Sequence, residues 1–348
     1  INFFFMHLKF NLTKKILSWY DNNKRTLPWR VGKNSPNLLY YRILSEFMLQ
    51  QTQVKTVIPY FEKFTKKFCN LDTLSKANES KILKLWEGLG YYRRARNLLA
   101  TSKIIVKKYN SKLPREVDEI KTLPGIGDYT SNVLAALIYN TPTLALDGNV
   151  KRVISRILNR EVNKIDFEYF KKINRKNIFN TSRNSDLVEA MMEFGALVCN
   201  AKIPKCEICP IRKECKFSNS KKKIKQVKKE IINKNLNIFC YLSKKGKIAL
   251  TKKNNLGFLN EFNLPKIETI KIKKNLKNWK LLTKYKNSIS NKKFNINLYY
   301  QFSKNIPNNY SWYSINNNKE FIPTFTKKNI QTGISFILMK KKIAIIGS

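Results

Sequence analysis

Glu46 stands inside an apolar run, Ile43-Leu44-Ser45-Glu46-Phe47-Met48-Leu49, at a spacing that reads as a helix and withdraws its carboxyl from water. A carboxylate in such surroundings is costly unless it is paired or protonated. Burial favours the neutral form, so the environment that penalises the charge also raises the pKa and makes a general acid. An unshifted glutamate would be protonated only about 0.2% of the time at neutral pH, and a rise of about two units would bring that to roughly a fifth. Asp147 is a second isolated carboxylate. It lies in Leu146-Asp147-Gly148-Asn149-Val150-Lys151-Arg152, beside the start of a helix and ahead of two cations.

Between these acids, Leu123-Pro124-Gly125-Ile126-Gly127-Asp128 reads as a tight hairpin ahead of an apolar helical run at 133–138. Gly125 and Gly127 allow positive φ and close backbone approach, so successive N–H groups can face an anion at the next helix start, with phosphate the natural occupant. Four of the six cysteines, Cys199, Cys206, Cys209 and Cys215, have the spacing C-x6-C-x2-C-x5-C. Four thiolates so close together can enclose a [4Fe–4S] cluster or a Zn²⁺ ion. Cys69 and Cys240 lack ligand partners in sequence and read as buried thiols.

Three further stretches carry polar or aromatic groups suited to binding. Arg25-Thr26-Leu27-Pro28-Trp29-Arg30 is a proline-stiffened loop with two cations and an indole. Trp86-Glu87-Gly88-Leu89-Gly90-Tyr91-Tyr92-Arg93-Arg94-Ala95-Arg96 suits a turn that pushes an aromatic ring toward bases while its arginines meet phosphates. Glu189 and Glu193 lie four residues apart on one helical face, which is also the pattern of an ordinary solvated face.

The elements that must position these residues are mostly helical. Leu12, Ile16, Leu17 and Tyr20 mark a first helix, and 56–109 reads as three or four amphipathic helices. Residues 8–217 form a helical domain, and the basic low-complexity segment 218–234 reads as a linker. Residues 235–348 read as an α+β domain with strands at 238–242, 248–250 and 294–302. A chain of 348 residues with 43% hydrophobic content can bury two cores. Its 68 Lys+Arg against 23 Asp+Glu give +45, which permits a polyanionic partner and salt-dependent binding. That charge does not identify the partner, because Lys, Asn and Ile are heavily used throughout. No apolar run reaches the roughly 20 residues needed to span a bilayer, and the opening ten residues lack the flank and cleavage site of a signal peptide. A soluble cytoplasmic protein is expected.

In order and spacing, the hairpin, the Leu-Asp-Gly-Asn-Val segment and SEFMLQQTQV together resemble the adenine-specific mismatch DNA glycosylases, the MutY family of helix-hairpin-helix base-excision enzymes. The resemblance implies a mainly α glycosylase domain with an iron–sulfur loop at 199–215, followed by a C-terminal α+β Nudix-like domain. It implies a monofunctional enzyme that everts adenine mispaired with 8-oxoguanine or guanine in double-stranded DNA and hydrolyses its N-glycosidic bond. The enzyme would be monomeric, bacterial and nucleoid-associated.

The catalytic set implied is Glu46 as acid, Asp147 at the sugar, Asn149 beside it, and Tyr129 where bifunctional relatives carry a lysine that forms a Schiff base. Arg25, Leu27, Trp29 and Arg30 would line the base pocket, and Glu189 would bond the adenine edge. Gln51 and Tyr91 would enter the DNA stack, Gly125 and Gly127 would grip a phosphate, and the four cysteines would hold [4Fe–4S]. Gly257 to Pro265 resembles a segment of the family's second domain, while the Nudix glutamate box is missing. In Asn287-Ser288-Ile289-Ser290-Asn291, both histidines of the family's lesion-inspecting loop are asparagine and Ser290 is retained. Two alternatives stay open: a thymine or uracil mismatch glycosylase on the same scaffold, or a non-catalytic helix-hairpin-helix DNA-binding protein.

Overall fold

The computed structural model describes residues 11–174, 181–220, 224, 232–251, 263–269, 276, 278–289, 292–314 and 324–329. They fall into two compact units, one made of 1–85 with 91–227 and the other of 86–90 with 228–348. In the first unit the described helices are α1 (Asn11–Asn23), α2 (Leu38–Leu49), α3 (Val54–Lys67), α4 (Leu71–Ser75), α5 (Glu79–Leu85) and α6 (Arg93–Tyr109). They continue with α7 (Val117–Lys121), α8 (Asp128–Tyr139), α9 (Gly148–Leu158), α10 (Phe167–Asn174), α11 (Asn184–Leu197) and α12 (Lys216–Asn219). None of the described helices is long and apolar enough to cross a membrane.

α2 is buried nearly all round: Ile43, Leu44, Phe47 and Met48 are fully enclosed, and Arg42, Ser45 and Glu46 are buried with them. A helix apolar on every side belongs in the middle of a bundle, and this one carries its polar groups inward with it. α9 is amphipathic instead. Its face of Val150, Val153, Ile154, Ile157 and Leu158 joins a core with Leu12, Ile16 and Tyr20 of α1 and Leu187, Ala190, Met191 and Phe194 of α11. Each such side chain contributes about 1.5–3 kcal/mol when fully buried, so the three helices are held in fixed register by packing. α9 stops at Asn159, whose left-handed φ of 50° closes the helix.

α7, the turn through 122–127, and α8 form the expected helix-hairpin-helix. Gly125 has φ 77°, and a Cβ there would meet Asn97 at 2.6 Å and the Phe47 ring at 2.9 Å. The Gln50 amide donates to the Gly125 carbonyl at 3.3 Å and the Thr101 hydroxyl donates to that of Pro124 at 2.8 Å. Glycine is therefore required twice here, by backbone angle and by space.

The second unit is a mixed sheet in the order β4-β5-β1-β2-β6, built from β1 (Ile232–Leu242), β2 (Lys247–Leu250), β3 (Lys266–Glu268), β4 (Lys280–Ile289), β5 (Lys292–Phe302) and β6 (Ser311–Ser314), with β3 pairing β1 off that path. β1 and β5 run parallel and the other pairs run antiparallel. Leu236, Ile238, Cys240 and Leu242 alternate onto one face and pack with Phe294, Ile296, Leu298 and, from α13 (Thr324–Asn329), Phe325.

Two expectations need correction. β1 begins at Ile232, inside the segment read as linker to 234, because Ile232, Asn233 and Lys234 already pair in parallel with Lys292, Lys293 and Phe294 of β5. Cys69 is exposed, not buried: it lies in the surface connection between Phe68, which caps α3, and Asn70, which caps α4. Cys240 is buried as expected. The segment 257–262, Ser290 and Asn291 lie outside the described residues.

Replacing Gly125 with Ala is expected to lower the melting temperature, through a penalty of at least about 1 kcal/mol from the left-handed backbone alone. Unchanged melting and DNA binding would contradict the packing described for the hairpin.

Candidate active site

Glu46 is 8% exposed on the buried helix α2, and among the described residues it has no hydrogen bond or ion pair. Burial pushes its carboxyl pKa up to about 7; Arg42, one turn earlier, works against the rise, while the Glu189 and Asp147 carboxylates add to it. The proton is thus retained near neutrality by a group with nothing else to hold it. Tyr129, half-buried at the start of α8, shares this neighbourhood. Burial, then Glu46 and Asp147, raise its pKa far above the ordinary phenol value, so it stays a neutral donor and reaches the Met192 sulfur at 3.4 Å.

Asp147 is fixed from several sides as the N-cap of α9. Its Oδ1 accepts from the Val150 N–H at 2.6 Å and its Oδ2 from the Asn149 amide at 3.0 Å. Side-chain capping of this kind satisfies a helix's free N–H groups and places a negative charge at the positive end of its dipole. Asn149 is held in turn by Arg152, which donates to Asn149 Oδ1 at 2.8 Å and also reaches the carbonyls of Gly195 and Cys199 at 2.8 and 3.0 Å. Gly195 permits this closeness, since a Cβ there would lie 2.7 Å from Asn149. Asp147 is therefore held in one orientation, and repulsion by its charge helps to raise the Glu46 pKa.

Glu189 behaves in the opposite way to Glu46. Burial alone would raise its pKa, but Arg42, Arg30 and the Tyr20 hydroxyl override that and hold it below the usual carboxylate range. Arg42 Nη1 donates to Oε1 at 2.6 Å, Arg30 Nε to the same oxygen at 3.1 Å, and Tyr20 to Oε2 at 2.8 Å. Glu193, 2% exposed, receives three bonds from Arg25 at 2.7, 2.9 and 3.2 Å and one from Arg30 at 2.9 Å. The solvated-face pattern of the two glutamates is thus replaced by a buried network of charge-assisted bonds. Two buried carboxyls driven in opposite directions, each acting on the other's surroundings, suit an acid with a fixed acceptor.

Residues 44–176 match the HhH-GPD superfamily of base excision DNA repair proteins. An adenine DNA glycosylase of Buchnera aphidicola subsp. Baizongia pistaciae is 42% identical over 250 residues, covering 70% of this chain and 69% of the relative. The chain belongs to the adenine DNA glycosylase family. The family's human member is 35% identical over 208 residues, covering 58% of this chain and 38% of that protein. A thermostable thymine-DNA glycosylase shares the fold with TM-score 0.54 at 24% identity, over 60% of this chain and 95% of that one. A trapped endonuclease III–DNA covalent intermediate does so with TM-score 0.50 at 20% identity, over 61% and 98%.

Within this family frame the remaining residues fall into three places. Leu27 and Trp29 are buried, the indole edge-on to Phe61 at 5.4 Å, while Arg25 and Arg30 are taken up by the two glutamates. Gln51 and Tyr91 are both exposed on left-handed backbone, φ 57° and 48°, at the end of α2 and the start of α6. Gly127, the N-cap of α8, has open space around it. Of the three arginines expected at phosphates, Arg94 is buried and Arg96 pairs with Glu79.

Cys199, Cys206, Cys209 and Cys215 border a single cavity together with Lys205, Arg156 and Arg212. Burial pushes the Cys209 thiol up to about 11 and raises that of Cys215. Arg156, 2% exposed, donates to Cys199 Sγ at 3.3 Å and to the Asn200 carbonyl at 2.6 Å. Sequence reasoning missed Tyr20, Arg42 and Arg152. Only Arg42, four residues before Glu46, carried a local signal, because that spacing shares a helix face.

The Glu46 shift fixes a stability test. The native state binds more protons than the unfolded chain between the ordinary carboxylate value of 4.5 and about 7, so this residue costs stability as pH rises through that window. E46Q should melt higher than the parent at pH 8, and the difference should vanish near pH 4.5. Equal melting at both pH values would show that Glu46 carries no strained charge.

Proposed function

We propose that this chain removes undamaged adenine, mispaired with 8-oxoguanine or guanine, from double-stranded DNA by hydrolysing its N-glycosidic bond and leaves the strand uncut. One observation carries the reading: the buried carboxyl of Glu46, pushed up to about 7, feels the charge of half-buried Asp147, which is fixed as the N-cap of α9. Adenine must leave the stack to be reached, at a cost of a few kcal/mol. Gln51 and Tyr91 stand on exposed turns suited to fill the gap. Protonated Glu46 donates to N7 of the everted base and makes it a neutral leaving group. Asp147, held at the helix end, stabilises the oxocarbenium ion forming at the sugar, and Glu46, now ionised, activates the attacking water. Glu189, kept ionised by Arg42 and Arg30, accepts from the adenine amino group.

Thymine has no N7, so the Glu46 proton favours a purine over the pyrimidine reading that the fold of a thymine glycosylase alone would allow. Tyr129 offers no amine for a Schiff base, which limits the reaction to base removal. The excess of positive charge favours a DNA partner and predicts strong salt dependence. The second unit is read as a Nudix-like domain that inspects the opposing base without hydrolysing nucleotides, with Asn287 near the end of β4.

The cysteine cavity fits a [4Fe–4S] cluster. All four sulfurs border one space, and Arg156 supplies a donor to the Cys199 sulfur, which supports this reading. Bound there, a cluster would cross-link the loop 199–215, whose carbonyls hold Arg152 and through it Asn149 and Asp147.

Single-turnover assays on A opposite 8-oxoguanine, A opposite G and T opposite G are expected to release adenine only. E46Q should lower that rate by at least about 10²; near-parental release would remove Glu46 from the mechanism. Tyr129→Lys should introduce borohydride-trappable enzyme–DNA adducts absent from the parent, and equal trapping by both would contradict the monofunctional reading.

A further inference from the structure

Arg94 was expected to face phosphate, and its surroundings give it a different task. Its Nη1 donates to three carbonyls at the end of α2, those of Phe47 at 3.0 Å, Met48 at 2.7 Å and Gln50 at 2.7 Å. The last carbonyls of a helix have no partner within it, and a cation among them satisfies both their bonding and the dipole. The same guanidinium lies 5.6 Å from the centre of the Tyr91 ring. It is 7% exposed, and burial lowers its pKa to about 10, so the site holds the charge at a cost in desolvation. One side chain thus joins the residue just before Gln51 to the residue that opens the turn into α6.

Both tips are strained. Gln51 and Tyr91 are non-glycine residues at positive φ, a state costing of order 1–3 kcal/mol each that persists only where neighbours enforce it. Along the same face of α6, Asn97 packs on Gly125 and Thr101 bonds the Pro124 carbonyl, three and seven residues beyond Arg94. α6 therefore sets the end of α2, the Tyr91 turn and the phosphate hairpin against a single helix.

We infer that Arg94 is a positioning residue for base eversion, fixing Gln51 and Tyr91 to one another so that the two side chains enter the duplex as a unit while Glu46 is held one turn behind. The inference rests on the proposed glycosylase activity and adds to it the element that couples eversion to chemistry. Lysine ends about one bond short of the Nη1 position that meets the three carbonyls, and it lacks the planar group that lies over the Tyr91 ring.

The test uses the full chain with 2-aminopurine in place of the target adenine, whose fluorescence rises on unstacking, alongside single-turnover adenine release from the matching duplex. R94K and R94M are compared, and the fluorescence gain is normalised to bound DNA so that any unfolded fraction cancels. Both variants should lose most of the fluorescence gain and about tenfold or more in release rate, a size in keeping with misplacement of a positioning group. The pH midpoint of the remaining activity should be unchanged. In a double-mutant cycle, R94K and Gln51→Ala should be strongly non-additive. Full fluorescence gain with a reduced rate, or additive losses, would overturn the inference. A parent chain that neither unstacks the base nor releases it would instead overturn the glycosylase reading, which separates the two failures.

Discussion

The site depends on a carboxyl group taken out of water and left without a counter-charge. Glu46 is enclosed by α2's own apolar neighbours, and the nearest cation, Arg42, is already committed to Glu189. Had Arg42 paired with Glu46, the acid would be ionised at neutral pH and useless as a proton donor. Glu189 is therefore the group that draws Arg42 away from Glu46. The buried ion pairs of Arg25, Arg30 and Arg42 with Glu189 and Glu193 add little net stability once desolvation is counted. What they fix is which of three buried glutamates carries the proton.

The second acid is made dependable by backbone geometry more than by charge. Asp147 caps α9, and capping is a local event that a short sequence can specify. Its orientation then passes through Asn149 to Arg152 and on to the carbonyls of Gly195 and Cys199. The loop bearing the cysteines is thereby tied to Asp147 through two side chains, Asn149 and Arg152. Whatever orders that loop also orders Asp147, which gives a site distant from the chemistry a mechanical route into it.

How much of this could be read from the sequence follows the range of the interactions. Glu46 was legible because its surroundings lie within one helical turn on either side. The hairpin and the N-cap were legible for the same reason, being set by glycines and by a single aspartate. The destinations of Arg25 and Arg30 were not, since their glutamate partners lie 159 to 168 residues away, nor was that of Arg94, since an arginine near glycines and tyrosines reads alike whether it meets a phosphate or a backbone carbonyl. The Tyr20–Glu189 bond spans 169 residues of sequence and left no local trace. Cys69 was misread because a lone thiol has no periodicity, and only the shortness of the link between α3 and α4 puts it at the surface.

The central claim is a protonation state, and it can be observed without turnover. The full chain labelled with ¹³C at glutamate side-chain carboxyls is titrated by NMR, and the E46Q spectrum is subtracted to isolate one resonance. A midpoint near 7 for that carboxyl is the result this account requires. A midpoint at the ordinary glutamate value near 4.5 would mean that Glu46 is ionised throughout the neutral range, and the proton for the leaving base would have to come from elsewhere.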